Sequence, residues 1–216
     1  DFHAGAYYVQ EAASQFVGHL LQGVEVAGRR ILDLCAAPGG KSFAAAFAME
    51  NEGSILSCDL HENKLKRIRE GAQRLGITCI ETAAVDGRAF REEWAGKFDV
   101  VICDVPCSGL GIIRKKPDIR YKSPKELAQL PLIQRAILEN AASYVRPGGT
   151  LVYSTCTVLP EENEDVTGDF LDQHPEFEPV RTVFPLPVGP CPGQVTLWPQ
   201  RHGTDGFYIC RMRRKD

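Results

Sequence analysis

Short runs rich in Ile, Leu, Val and Cys alternate along this chain with longer stretches of helical composition, and that alternation is the strongest constraint on its fold. Arg30-Ile-Leu-Asp-Leu-Cys35, Ser54-Ile-Leu-Ser-Cys-Asp59, Ile77 to Val85, Phe98-Asp-Val-Val-Ile-Cys-Asp104 and Gly149-Thr-Leu-Val-Tyr-Ser-Thr155 read as buried strands, with a late one from Gly206 to Met212. Residues 10–22, 41–50, 62–75 and 125–145 read as helices. Gly76 is placed to end the helix over 62–75, and Pro147-Gly148-Gly149 the one over 125–145. Pro160 followed by Glu161 and Glu162 reads as a helix start, with acids at the positive end of the dipole. The stretch 184–203 is rich in Pro and Gly and is expected to be irregular. Strands joined through helices need crossover connections, which make them parallel and cover both faces of the sheet. The expected fold class is therefore α/β, with a doubly wound, mostly parallel sheet. At 216 residues the chain suits one catalytic-type domain over 29–216, preceded by a lead-in helical segment over 1–28.

Ligands of such a sheet bind beyond the carboxyl ends of its strands. The first strand runs into Cys35-Ala-Ala-Pro-Gly-Gly-Lys41, the second ends in Asp59 and the third near Asp86. The fourth ends in Asp104-Val-Pro-Cys107-Ser-Gly109 and the fifth in Ser154-Thr-Cys156-Thr. A polar or reactive residue at five consecutive strand ends marks a site rather than core design.

Charge and cysteine usage narrow the class. The net charge of −3 argues against a nucleic-acid protein, but eight acids and no Lys or Arg fall within 157–180, and without that stretch the remainder is at +5. Arg114, Lys115, Lys116, Arg120 and Lys122 form a basic run opposed only by Asp118. Such a run is either a solvated face or a contact for phosphates. None of the eight cysteines forms a C-x-x-C pair, so no metal site is expected, and reduced thiols in a cytoplasmic protein fit better than a disulfide framework. No apolar run reaches the ~20 residues needed to span a bilayer. The chain opens at Asp1 with neither Met nor a signal core, and it is expected to be a piece of a longer protein.

Three chemistries compete for the strand ends. Gly39-Gly40 lets a ligand approach the backbone, and Asp59, 19 residues after Gly40, suits a ribose hydroxyl, which together indicate an adenosine-type nucleotide. Residues 35–42 also approach a phosphate loop. Cys35 replaces its first glycine, however, and Pro38 removes a backbone donor from the cradle, which weakens an ATPase reading. If the fourth and fifth strands are adjacent, Cys107 and Cys156 face one crevice. They could form a redox pair or perform covalent catalysis on an unreactive carbon such as carbon 5 of cytosine. A thiolate adding to carbon 6 makes carbon 5 nucleophilic, and a nearby carboxyl can hydrogen-bond at ring nitrogen 3. A non-catalytic nucleotide-binding module would leave the two cysteines unexplained.

Cys35-Ala-Ala-Pro-Gly-Gly-Lys41, Asp104-Val-Pro-Cys-Ser-Gly109 and Ser154-Thr-Cys156-Thr, in this order and spacing, resemble the Sun family of RNA cytosine-5 methyltransferases. Gly111-Ile-Ile-Arg-Lys-Lys-Pro-Asp118 and Leu159-Pro-Glu-Glu-Asn163 resemble its bacterial 16S ribosomal RNA branch, and Tyr7-Tyr-Val-Gln-Glu-Ala-Ala-Ser14 resembles the segment before the family's cofactor domain. The resemblance covers nearly the whole chain. Val105 and Glu11 stand where Ala and Asp are common, and the branch's N-terminal helical RNA-binding domain is not within these residues.

The resemblance implies a seven-stranded, Rossmann-like sheet that binds S-adenosyl-L-methionine. Cys35, Ala36, Ala37, Pro38, Gly39, Gly40 and Lys41 would line the methionine and ribose side of the cofactor. Asp59 would hold the ribose, Asp86 would lie near the adenine amino group, and Asp104 would sit between cofactor and base. It implies Cys156 as nucleophile and Cys107 as the group that assists release. The implied partner is RNA, ribosomal in this branch, and the basic run at Arg114, Lys115, Lys116 and Arg120 is the expected contact for its phosphates. The target base must be unstacked to reach the thiol.

Overall fold

The computed structural model describes residues 1–21 and 28–216. Its strands are β1 (Arg30–Asp33), β2 (Ser54–Asp59), β3 (Ile80–Ala84), β4 (Phe98–Asp104), β5 (Val145–Thr155), β6 (Phe177–Pro179), β7 (Thr182–Val183), β8 (Pro190–Cys191), β9 (Gln194–Leu197) and β10 (Phe207–Arg214). Its helices are α1 (Ala12–Leu21), α2 (Gly40–Ala48), α3 (Glu62–Arg74), α4 (Pro124–Leu127), α5 (Leu130–Tyr144), α6 (Glu164–Gln173) and α7 (Pro199–His202). Position 22 of the helix expected over 10–22 lies outside the described residues, as do positions 22–27 of the lead-in segment.

One sheet carries the fold, with the strand order β3-β2-β1-β4-β5-β10-β6 and β9 joined to β10 beside that row. The pairs among β1 to β5 are parallel, whereas β10 runs antiparallel to β5, β6 and β9. From β1 the chain winds outward through β2 to β3, then returns to β4 on the other side of β1. The loops after β1 and β4 therefore diverge and leave a crevice between them.

The central strands are apolar on both faces because both faces are covered. Along β1 and β4, Ile31, Val100 and Ile102 pack in one layer with α1, α2 and α3, while Leu32, Val101 and Cys103 pack in the other with α5 and α6. Helix α3 buries Leu65, Ile68 and Ala72, at the spacing of one helical face, and leaves its charged residues outside. Five of the eight cysteines, at 58, 79, 103, 191 and 210, are plain buried core residues, and none of the eight is in a disulfide.

Three sequence expectations need correction. The stretch 184–203 is not wholly irregular, because Gln194–Leu197 pairs with Phe207–Cys210 as β9. Its Gly and Pro residues flank the strand rather than interrupt it. Pro147-Gly148-Gly149 does not end the helix before it. Helix α5 stops at Tyr144, Val145 already pairs with Phe98, and the register shift between Phe98 and Val100 absorbs the three residues. Pro160–Glu162 forms a single 3-10 turn, and the α-helix begins only at Glu164, because Glu162 and Asn163 turn into the protein.

A buried carboxyl ties the first strand to its neighbours. Asp33 is fully buried, Ser42 Oγ donates to its Oδ2 at 2.7 Å, and Ser57 Oγ donates to Ser42 Oγ at 2.7 Å, which links β1, α2 and β2. Burial pushes the Asp33 carboxyl up to about 7 against the hydrogen bond from Ser42 and the charge of Lys41. Because the folded value lies above the unfolded one near 3.8, the stability that depends on Asp33 is complete below that value and is lost as pH rises through about 7. Asp33→Asn should therefore gain on the parent as pH rises from about 4 to about 7.5, by a few kcal/mol in urea unfolding. A difference between the two proteins that does not change with pH would contradict this assignment.

Candidate active site

The strand ends converge on two adjoining hollows. One, of about 330 Å³, has apolar walls from Leu34, Leu60, Pro106, Ile133 and Ile137 and carries Cys35, Asp59 and Asp86 on its lining. Its volume and its mixture of apolar wall and few carboxylates suit a nucleoside. Asp59 is 8% exposed, and its Oδ1 accepts the His61 N–H at 3.0 Å and lies 3.4 Å from Lys64 Nζ. Asp86 is gripped at both oxygens by the Arg88 guanidinium, at 2.6 to 3.2 Å, which holds its carboxyl below the usual range. Gly87 lies against Leu34 and Ile137, where a side chain would crowd the wall.

The second hollow, of about 170 Å³, lies between Ala36, Ala37, Pro38, Gly40 and Lys41 on one side and Tyr8 to Glu11 on the other, with Asp104 on its lining. Gly39 turns the chain from β1 into α2 with φ +110°, and a Cβ there would come within 2.7 Å of the Phe43 ring. The structure thus divides the first loop: Cys35 lines the first hollow, and Ala36, Ala37, Pro38, Gly40 and Lys41 line the second, facing the N-terminal segment. A larger hollow of about 760 Å³, between that segment and α2, has no carboxylate, thiol, Lys or Arg on its lining and lies away from the strand ends.

Cys107 and Cys156 meet, with their sulfurs 3.2 Å apart. Beside them Lys41 Nζ lies 2.7 Å from Asp104 Oδ2, and Ser154 Oγ donates to Asp104 Oδ1 at 2.7 Å. The Lys41 ammonium also lies over the Phe207 ring, 5.4 Å from its centroid. A hydrogen bond from the Cys107 thiol lowers the Cys156 thiol below its usual value, against burial and the charge of Asp104, and Lys41 adds to the lowering. As the donor in that bond, and by burial, Cys107 is raised well above an ordinary thiol. Burial pushes Cys35, Cys58, Cys79, Cys103 and Cys210 up as well. Of the two thiols in this crevice, Cys156 is thus the more acidic.

Lys41 lines the second hollow and is paired there with Asp104, close enough to Cys156 for its charge to act on the thiol. Its pairing with Asp104 beside two thiols weakens an ATPase reading. The basic run divides in two. Arg114 Nη2 and Lys115 Nζ reach Asp205 at 3.1 and 2.6 Å, and the Asp205 side chain is only 4% exposed. Lys116 and Arg120 lie exposed on the outer face, with Arg120 over the Tyr121 ring.

Several residues of this site carried no chemical signal in the sequence. Glu11 caps α1 through the Ala13 N–H at 2.6 Å and also accepts the Asp205 N–H at 2.9 Å, so one carboxylate joins the N-terminal segment to the basic loop's anchor. Glu162, Asn163 and Gln134 are buried behind the two cysteine loops, and the first of them read in the sequence as an acid at a helix start and as part of the Leu159–Asn163 motif, with no role of its own. Among the described residues, no cluster of three or more His, Cys, Asp or Glu could hold a metal ion, and no helix is long and apolar enough to cross a membrane.

The comparisons with known proteins agree with this geometry. The family model for 16S rRNA methyltransferase RsmB/F matches residues 22–213. The probable ribosomal RNA small subunit methyltransferase B of Bacillus subtilis is 43% identical over 99% of this chain and 49% of its own length. The crystal structure of PH0851 superimposes with a TM-score of 0.90 at 34% identity, over 99% of this chain and 48% of that one. NSun6 from Pyrococcus horikoshii, solved with SFG, superimposes with a TM-score of 0.81 at 28% identity, over 100% of this chain and 55% of that one. The chain thus spans about half the length of the curated relatives it matches. With the family model matched over residues 22–213 and a relative 43% identical over 99% of its length, the chain belongs to the 16S rRNA methyltransferase RsmB/F family.

Proposed function

We propose that this chain is the catalytic part of an S-adenosylmethionine-dependent methyltransferase that acts on carbon 5 of a cytosine in ribosomal RNA through a covalent Cys156 adduct. The observation that carries the proposal is the pair of sulfurs 3.2 Å apart beside the Lys41–Asp104 ion pair. A redox pair would not need that ion pair, and a plain nucleotide-binding module would need neither. The domain organisation expected from the sequence, a lead-in segment followed by a catalytic domain over 29–216, is retained in this reading.

S-adenosylmethionine supplies an electrophilic methyl group. The donor set fits it: Asp59 would hold the ribose hydroxyls, Asp86 would lie near the adenine edge, and Cys35 to Lys41 would line the remainder. SFG, present in the NSun6 structure, is an analogue of the same molecule. The Cys156 thiolate forms its bond to carbon 6 of the flipped base, and the pair of electrons displaced onto the ring makes carbon 5 the nucleophile. A proton taken from solvent at ring nitrogen 3 as the adduct forms cancels the negative charge there, and the resulting N–H can donate to the Asp104 carboxylate, which the Lys41 ammonium holds in place. Once Cys156 is bonded to carbon it carries no charge, so the neighbour that held Cys107 protonated is gone. Cys107 can then release its proton to solvent and, as a thiolate, take the proton from carbon 5; the electron pair left by that proton re-forms the ring double bond as the bond from carbon 6 to sulfur breaks and returns Cys156 as thiolate. The exposed Lys116 and Arg120 offer phosphate contacts, beside Arg114 and Lys115, which are also exposed but paired with Asp205.

Cys107→Ser should accumulate a denaturant-resistant RNA adduct on a gel, and Cys156→Ser should not. The reverse pattern would exchange the two roles, and adducts with neither variant would contradict covalent catalysis. Charge reversal at Lys116 and Arg120 should weaken RNA binding and reduce the slope of log K against log salt by ~0.7 per lost contact on a single strand. An unchanged slope would return the run to a solvated face. Asp59→Ala should weaken the binding of S-adenosylhomocysteine by at least tenfold in calorimetry while leaving RNA affinity alone, and equal losses of both would contradict its place at the ribose.

A further inference from the structure

Glu162 and Asn163 are consecutive, buried to 2% and 0% exposure, and sit in the turn between the Cys156 loop and α6. We propose that Glu162 is a positioning residue for the cysteine pair: with Gln134 it clamps the backbone on both sides of Cys107 and so sets the distance between the two sulfurs. The inference rests on the covalent reading above and names a residue through which that reading works.

The hydrogen bonds show a clamp on each cysteine. On the Cys107 side, Glu162 Oε2 accepts the Ser108 N–H at 2.9 Å and Gln134 Nε2 at 2.7 Å, and Gln134 Nε2 also reaches the Pro106 carbonyl at 3.0 Å. The residues before and after Cys107 are thus both held. On the Cys156 side, Thr155 Oγ1 donates to Asn163 Oδ1 at 2.6 Å, and Asn163 Nδ2 donates to the Thr157 carbonyl at 3.2 Å, which holds the residues before and after Cys156. Ser108 Oγ donates to Thr157 Oγ1 at 2.7 Å and joins the two loops directly. Tyr153 OH donates to the Glu162 carbonyl at 2.6 Å and fixes the turn to β5.

Asn163 therefore holds both flanks of Cys156, and Glu162 holds one flank of Cys107 directly and the other through Gln134. Burying a carboxylate among neutral donors is costly, and a short, charge-assisted bond to the Ser108 N–H is what it contributes here. A thiol-to-thiolate hydrogen bond weakens steeply with distance, and a displacement of about 1 Å at a reacting group costs on the order of 100-fold in rate.

The test uses the whole chain without RNA. Iodoacetamide labelling of Cys156 is followed against pH by peptide mass mapping, in the parent and in Glu162→Gln, Glu162→Ala and Gln134→Met. The charged or titratable groups that face Cys156 are Cys107, Asp104 and Lys41, and none of these variants touches them. Loss of the clamp should raise the labelling midpoint by about one pH unit, the worth of one hydrogen bond. Glu162→Gln, which keeps an acceptor for Ser108, should fall between parent and Glu162→Ala. In methylation assays the same variants should lose kcat with KM for RNA unchanged. A lowered melting temperature with the parent labelling profile would overturn the proposal and leave Glu162 a purely structural group. If Glu162→Ala does not fold, Gln134→Met decides by the same measurement. A shifted profile in a protein whose parent forms no RNA adduct would sink the covalent reading and leave the clamp standing, whereas a parent that forms the adduct with unshifted variants would do the opposite.

Discussion

The register between β4 and β5 is the constraint on which everything else in the site depends. Asp104 pairs with Ser154, so their side chains stand side by side and Ser154 Oγ can hydrogen-bond the carboxylate. Cys107 lies three residues beyond the first and Cys156 two beyond the second, and parallel strands send both loops out of the same edge of the sheet. A slip of one residue would turn Ser154 to the opposite face, out of reach of Asp104. The strands are held in that register by apolar packing on both faces, so the core and the chemistry are one problem rather than two.

A crevice that contains two thiols, a carboxylate and an ammonium must solve the problem of burying charge. Here the charges are neighbours: Lys41 is bonded to Asp104, stands over Phe207 and lies close enough to Cys156 to stabilise its thiolate. Behind them Asp33 is buried with Ser42 and rises towards neutrality. Such arrangements contribute little net stability, because desolvation offsets the attraction. What they contribute is a fixed position for each charge before the base arrives, which is the usual form of electrostatic catalysis. The Glu162–Asn163 turn belongs to the same economy of position, since it is buried polar structure whose evident product is a distance.

Much of this was legible in the sequence, because parallel strands buried on both faces write themselves as continuous apolar runs and their polar ends then stand out. Cys35, Asp59, Asp86, Asp104, Cys107 and Cys156 could be picked as site residues for that reason, and the structure brings all six to one edge of the sheet. The source of Cys156 activation was not legible, since it depends on a distance between side chains 49 residues apart. Nor was the division of the basic run, because its partner Asp205 is an unremarkable acid some 90 residues away. Glu162 was read by its neighbours as a residue suited to a helix dipole, and only its burial shows otherwise. Strand β9 was hidden by the Gly and Pro residues around it, which are strong local signals but do not say where an edge strand is held by its partner.

The most direct measurement is the identity of the methylated nucleoside. The protein is mixed with methyl-labelled S-adenosylmethionine and unmodified small-subunit ribosomal RNA, the RNA is digested to nucleosides, and the label is located by chromatography. The sulfur pair, the Lys41–Asp104 bridge and the unstacked-base requirement together predict that the label is in 5-methylcytidine. Label in any other nucleoside, with cofactor and RNA both bound, would contradict the thiolate-addition chemistry that the site is built around.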